Sequence, residues 1–329
     1  MPAHRDAAGA ERETGVCALG IENYTRIDGA DGRGIKSKSW IKSKTHSVRQ
    51  VKGTSPMIVF TGSGRSGTGL YSKIFDAHHE YNVRGLVGQL RALPGYYNAP
   101  SDLLADIRLR RAMIQKHLAG VDLANFRDSS NPYVHFLDVM HEIDPNVRIV
   151  LGVRDGRDFA RSGITRGYHI PDGRSPLAGV KSAARAVCRT VGHHLPARYT
   201  GFGLQPEGTD PWFDQWPTMT PVEKMAWLWQ NRNEKALTRL QSVPKDQWTV
   251  VRLEDLSGEA ERGRAELQRL EEFLGIKGDP QWLTQKYNHS QSFGFPDKAD
   301  WPEADIRSFT RIAGSTMEKL GYESGPTAS

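Results

Sequence analysis

The residues with the clearest chemical potential stand together in Phe60-Thr61-Gly62-Ser63-Gly64-Arg65-Ser66-Gly67-Thr68-Gly69-Leu70, after a short apolar run and before a helical pattern. A loop in that position aims successive backbone N–H groups at one point, and the start of the next helix adds partial positive charge. Glycines at 62, 64, 67 and 69 permit sharp turns and let the backbone approach a ligand without a Cβ between them. Arg65 adds a full charge and a planar fork of donors. A phosphate-like anion fits such a loop. Against the nucleotide-binding pattern G-x-x-x-x-G-K-[ST], Gly62 and Gly67 match, but Thr68 stands where Lys is needed and Gly69 where the metal-holding hydroxyl is needed. A magnesium-dependent ATPase or GTPase would lack both groups.

A second polar segment, Arg154-Asp155-Gly156-Arg157-Asp158-Phe159-Ala160-Arg161-Ser162, follows the apolar run Val147 to Val153. Arg154 leaves a strand end and Ser162 sits eight residues on, in the helical segment that follows, so both can reach one phosphate. For Arg157 and Asp158 a plain helix-end charge pattern stays open. The two segments in this order, with positive charge inside the first loop at Arg65 followed by Ser66-Gly67-Thr68, resemble the sulfotransferases that use 3′-phosphoadenylyl sulfate (PAPS). That family carries a K/R-S-G-T core after its first strand and an R-D-x-R-D-x-x-x-S segment after a later one. The resemblance implies a donor site of Gly64, Arg65, Ser66, Gly67, Thr68 and Gly69, with Arg154 and Ser162 holding the 3′-phosphate. It also implies PAPS as donor co-substrate, no metal, and sulfuryl transfer to a hydroxyl or amine of a small-molecule or carbohydrate acceptor. Weaker likenesses are Arg252-Leu253-Glu254-Asp255-Leu256 and Phe273-Leu274-Gly275, read as structural landmarks, and Asp128-Ser129-Ser130-Asn131, which resembles a segment of bacterial members. The resemblance covers roughly residues 56 to 322, with much of 170–220 outside it.

Sulfuryl transfer builds negative charge on the leaving phosphate oxygen, and fixed donors there lower the barrier. Arg65 and the N–H groups of Ser66, Gly67 and Thr68 take that role, with the hydroxyls of Ser66 and Thr68 as helpers. The acceptor hydroxyl must lose a proton to a Glu or His within hydrogen-bond reach. His78-His79-Glu80-Tyr81 resembles the His-Glu pair of many bacterial relatives, which makes Glu80 the first candidate base and His79 the second. An exposed helix end is the alternative reading of these residues. Relatives acting on glycosaminoglycans carry their Glu near position 87, where this chain has Val87. His135 and Asp128 stand in reserve. A metal at His78-His79 or His193-His194 is disfavoured, since adjacent side chains on a helix diverge and no Cys joins them.

The elements that must position these groups alternate. Strands are expected at Met57 to Thr61, Val121 to Phe126, Val147 to Val153 and Trp248 to Leu253. Helices are expected at Thr68 to Ala77, Asp102 to Leu118 behind a Ser101 cap, Asn131 to Ile143, Arg157 to Thr165, Pro221 to Leu240 behind Thr220, Glu259 to Leu274, and Glu303 to Leu320. This order predicts an α/β fold, three-layer α/β/α with a central parallel sheet, and ligands at the carboxyl ends of its strands. Residues 55–329 read as the catalytic α/β domain, with 170–220, rich in Gly and Pro, as an insertion or lid. Residues 1–54 read as a flexible basic N-terminal extension. Trp227 and Trp229 read as core or adenine-side packing. Tyr96, Tyr97, Trp212, Phe213 and Trp216 form an acceptor wall or simply cover a core.

With 329 residues, 38% hydrophobic and 25% charged, the chain has the balance of a folded globular protein. No apolar run reaches the ~18 residues of a membrane span. No signal-like stretch opens the sequence. Cys17 and Cys188 are too few for a disulfide framework, so a reducing cytoplasm is the expected location. The net charge of +6 gathers between Arg33 and Lys52, where no Asp or Glu interrupts the basic residues. Such a run is a solvated tail or a contact for an anionic surface; Trp40 alone offers no base-stacking series, so nucleic acid is not expected as a partner. Oligomeric state is not readable. Two other classes remain beside the transferase: a P-loop phosphotransferase, and a non-catalytic nucleotide-binding scaffold docked by its basic tail.

Overall fold

The structure, a computed structural model, describes residues 25–30, 36–41, 55–79, 106–165, 206, 209–284 and 296–324. The chain divides into two units, Met1–Gln50 and Val51–Ser329. In the first, strands β1 (Thr25–Ala30) and β2 (Lys36–Ile41) pair antiparallel, with Arg26 opposite Trp40 and Asp28 opposite Lys38. The sequence KSKSWI of β2 has no apolar alternation to announce this pair inside the expected extension.

The second unit is built on a parallel sheet of strands β3 (Ile58–Gly62), β4 (His78–His79), β5 (Arg127–Ser129), β6 (Arg148–Val153) and β7 (Trp248–Arg252), in the order β4-β5-β3-β6-β7. Around it lie helices α1 (Thr68–Ile74), α2 (Ile107–His117), α3 (Leu137–Ile143), α4 (Gly156–Ile164), α5 (Pro221–Leu240), α6 (Leu253–Ser257), α7 (Ala260–Leu274) and α8 (Glu303–Lys319). Period-two alternation splits the core in two. Met57, Val59, Ile149, Leu151 and Val153 pack with α2, α3, α4, α5 and α8, whereas Ile58, Phe60, Val150 and Val251 pack with α1, α6 and α7. A strand buried on both faces reads as a continuous apolar run, as β3 and β6 do. The result is the expected three-layer α/β/α arrangement. Among the described residues no helix is long and apolar enough to cross a membrane.

Three expectations are corrected. The run Val121 to Phe126 is a 3-10 turn, Leu123–Asn125, because Asp122 accepts from the Ala124 N–H at 3.1 Å and from Asn125 Nδ2 at 2.7 Å; the strand comes after it. Asn131 to Ile143 is not one helix but a 3-10 segment, Asn131–His135, followed by α3. α1 ends at Ile74, and His78–His79 form an edge strand opposite Asp128 and Ser129 rather than a helix end. Residue Asp76, with φ 47°, turns the chain between them. α2 starts at an Asp106 cap, which accepts from the Arg108 N–H at 2.8 Å; the expected cap Ser101 lies outside the described residues.

Candidate functional site

The strand order reverses between β3 and β6: the chain leaves β3 towards β4 on one side and leaves β6 towards β7 on the other. A crevice at the carboxyl ends of these two strands is where open α/β sheets take ligands. Both polar segments start there. Gly62 lies opposite Gly152 in the register, so the loop 62–67 and Arg154 leave the sheet side by side. The close approach needs glycine: a Cβ on Gly62 would overlap Ser66 Oγ and the Gly152 carbonyl.

The loop is held at both ends. Phe60 on β3 stacks on Tyr71 and Phe75 beyond the loop, with ring centroids 5.5 and 5.2 Å apart, which pins α1 against the strand. Between these anchors Gly64, Arg65 and Gly67 adopt left-handed backbone, with φ of 85°, 57° and 94°. That conformation is strained for Arg65 and turns successive N–H groups to one side, as in an anion nest. The first helical N–H groups to find carbonyls are those of Leu70 and Tyr71, both on Gly67. Those of Ser66, Gly67, Thr68 and Gly69 come earlier in the turn, where a helix has no acceptor of its own. Thr68 is fixed from below by Ser129 Oγ, which donates to its carbonyl at 2.7 Å.

Three guanidinium groups surround this turn. Arg65 Nε donates to Ser162 Oγ at 2.9 Å, and Arg154 Nη1 donates to the Arg65 carbonyl at 3.5 Å. Arg65, Arg154 and Ser162, distant in sequence, are thus brought together. The third is Arg232 on α5, whose Nη1 donates to the Ser63 carbonyl at 2.5 Å. No motif marks Arg232; its position two-thirds along an amphipathic helix is the only signal, and that is not specific. Ser66 Oγ and Asn131 Oδ1 are buried without a hydrogen-bond partner. Such groups cost about 1–3 kcal/mol when unsatisfied.

The supports are structural. Asp155 caps α4 on the Arg157 N–H at 2.8 Å and ion-pairs with Arg157, while Lys298 lies 3.0 Å from both Asp155 and Asp158. Burial opposes ionisation of Asp155, but Arg157 and Lys298 outweigh it and hold its pKa below the ordinary value. Glu254 accepts from the Asp155 N–H and from Tyr322 Oη, each at 2.9 Å. Trp229 is fully buried and donates to the Arg154 carbonyl at 3.0 Å, and Trp227 donates to Asp210 at 2.9 Å, so both are core.

The base candidates do not assemble in the same way. Glu80 lies outside the described residues, and His79 is located only by its backbone, opposite Ser129. Asp128 is buried and bonded to Tyr133 Oη, which meets His117 Nε2 at 3.1 Å. His135 is buried, and burial together with Arg239, Lys235, Arg232 and Arg110 holds its imidazole well below the ordinary pKa. A base so weak takes a proton poorly near neutral pH. Trp216 is buried on Trp227, Phe213 is exposed, and Tyr96, Tyr97 and residues 170–205 lie outside the described residues.

No family model and no curated protein matches the chain. Solved structures that it resembles include the sulfotransferase from Alicyclobacillus acidocaldarius, at 14% identity and TM-score 0.40 over 80% of this chain and 94% of that one. The sulfotransferase domain from the curacin biosynthetic pathway aligns at 14% identity and TM-score 0.38, covering 82% of this chain and 98% of that one. The sulfotransferase domain from the Synechococcus PCC 7002 olefin synthase aligns at 14% and 0.39, covering 82% and 97%.

Proposed function

We propose that this chain is a sulfotransferase that moves a sulfuryl group from PAPS to a hydroxyl or amine of an acceptor. The observation that carries the reading is the meeting of two separate segments at the switch point, with Arg65 Nε 2.9 Å from Ser162 Oγ and Arg154 beside the same loop. The residues fit an anionic nucleotide: a left-handed turn of N–H donors, three guanidinium groups and a buried hydroxyl on Ser66 that lacks a partner. The missing Lys and metal-holding hydroxyl of the ATPase pattern weigh against phosphoryl transfer.

When bound, the donor supplies a sulfuryl group on a phosphate oxygen that gains negative charge as the bond breaks. Arg65 and the N–H groups of Ser66, Gly67 and Thr68 stabilise that charge, and their fixed positions spare reorganisation during the step. Arg154 and Ser162 hold the 3′-phosphate and so orient the donor. Glu80, or failing it His79, takes the proton from the acceptor hydroxyl. The test is calorimetric titration with adenosine 3′,5′-bisphosphate and with ATP, both without magnesium. Tight binding of the bisphosphate and weak binding of ATP is expected; the reverse preference overturns the assignment in favour of a nucleotide phosphotransferase.

A further inference from the structure

The turn that carries Arg154 is held by side chains from three elements far along the chain. The Arg154 carbonyl accepts from Trp229 Nε1 on α5 at 3.0 Å, the Asp155 N–H donates to Glu254 on α6 at 2.9 Å, and the Gly156 N–H donates to Met317 Sδ on α8 at 3.4 Å. Three successive residues at the end of β6 thus take their backbone direction from groups 75 to 161 positions away. That direction matters for Arg154. Its Nη1 reaches the Arg65 carbonyl at 3.5 Å, a long hydrogen bond that leaves the aim of the side chain to the backbone beneath it.

Two of the three holds, Trp229 and Met317, are buried in the core. Glu254 is half-buried, and its second oxygen accepts from Tyr322 Oη at 2.9 Å. Tyr322 is held in turn. Helix α8 ends at a left-handed Gly321, φ 76°, with the Gly321 N–H on the Glu318 carbonyl at 3.0 Å and the Tyr322 N–H on the Met317 carbonyl at 2.9 Å. This is a Schellman closure, which turns the chain back along its helix. Arg252, the last residue of β7, donates to the Gly321 carbonyl and to Asp255, each at 2.7 Å, and its guanidinium carbon lies 5.7 Å from the centre of the Tyr322 ring. Burial and the Glu254 charge push the Tyr322 phenol well above its ordinary pKa, so it keeps its proton and donates. The segment Arg252-Leu253-Glu254-Asp255 therefore links the turn after α8 to the turn after β6.

We propose that Glu254 and Tyr322 are positioning residues for the 3′-phosphate of the donor: Tyr322 orients the Glu254 carboxylate, which holds the Asp155 N–H and so aims the Arg154 guanidinium. The inference rests on the sulfotransferase reading, in which Arg154 holds that phosphate, and assigns part of the selectivity for it to two residues that act through Arg154.

The test titrates the full chain with adenosine 3′,5′-bisphosphate and with adenosine 5′-monophosphate, which lacks the 3′-phosphate. The ratio of the two affinities reads the hold on that phosphate. Tyr322→Phe and Glu254→Ala should each weaken bisphosphate binding about tenfold and leave monophosphate binding unchanged. Glu254→Gln keeps an acceptor for the Asp155 N–H and a polar partner for Tyr322 Oη, and should preserve the ratio. A purely structural part would lower the melting temperature and weaken both nucleotides together, or neither. Either result in Tyr322→Phe, the milder variant, overturns the inference and leaves the donor site standing, as does a Glu254→Gln ratio as low as that of Glu254→Ala. A wild-type chain that binds the bisphosphate no better than the monophosphate fails at the earlier step: it overturns the sulfotransferase reading, and this inference with it.

Discussion

At the scale of single residues, the site is a set of donors fixed before any ligand arrives. Arg65 holds a left-handed backbone conformation that costs energy for a side chain with a Cβ, and its guanidinium is tethered to Ser162. Arg65→Ala keeps the Cβ, and with it the strain, but removes the charge, so we expect turnover to fall at least about 100-fold with little change in thermal stability. A folded variant with unchanged rate would remove Arg65 from the reaction. Arg154→Ala should act differently, raising the KM for PAPS more than it lowers kcat, because its proposed role is to hold a non-reacting phosphate. Ser66 offers a finer probe. Its hydroxyl is buried without a partner, so Ser66→Ala should leave the melting temperature unchanged or slightly raised while weakening bisphosphate binding about tenfold. Loss of stability together with unchanged binding would mean that the hydroxyl serves the fold alone.

At the scale of elements, the loop depends on how closely two parallel strands end together. Gly62 and Gly152 face each other in the register, and the loop folds back over them. Gly62→Ala places a methyl group against both Ser66 and the Gly152 carbonyl, and backbone cannot yield as a side-chain tip can. The expected cost is about 3 kcal/mol, read as a lower denaturation midpoint, with bisphosphate binding lost at temperatures where the variant is still folded. The start of α5 shows the opposite situation. Thr220 and Glu223 form a reciprocal capping box around Pro221, so this helix is specified locally and runs over its full expected length. It is the element that carries Arg232 to the loop.

At the scale of the whole molecule, two buried histidines set an acid limit. Burial lowers the pKa of His117 to about 4, and burial with four nearby cations holds His135 well below its ordinary value. A histidine whose folded pKa is lowered binds protons more readily when unfolded, so stability is full above about pH 6.5 and falls as the pH drops towards the folded pKa. We expect the melting temperature to decline from about pH 6.5 to about pH 4, with His117 contributing about 3 kcal/mol at the lower end. His117→Gln keeps a hydrogen-bonding group beside Tyr133 and should flatten that slope; an unchanged pH profile would place the acid sensitivity elsewhere.

Sequence alone determined the features that are local. Continuous apolar runs marked β3 and β6 as strands buried on both faces, caps and glycine stops bounded α5 and α7, and the spacing within 60–70 and 154–162 singled out the two polar segments that the fold brings together. Where short-range hydrogen bonds compete with an apolar pattern, that reading failed: Asp122 turned an expected strand into a 3-10 segment, and a two-residue edge strand at His78–His79 carries too few residues to show a period. What only the tertiary structure decided is which distant groups share a space. Gly62 against Gly152, Arg65 on Ser162 and Arg232 on Ser63 join positions up to 169 residues apart. Their meeting is set by strand order and helix packing, to which no local spacing corresponds. An Arg on an amphipathic helix looks the same in sequence whether it faces solvent or the loop after β3; packing against the sheet makes the difference.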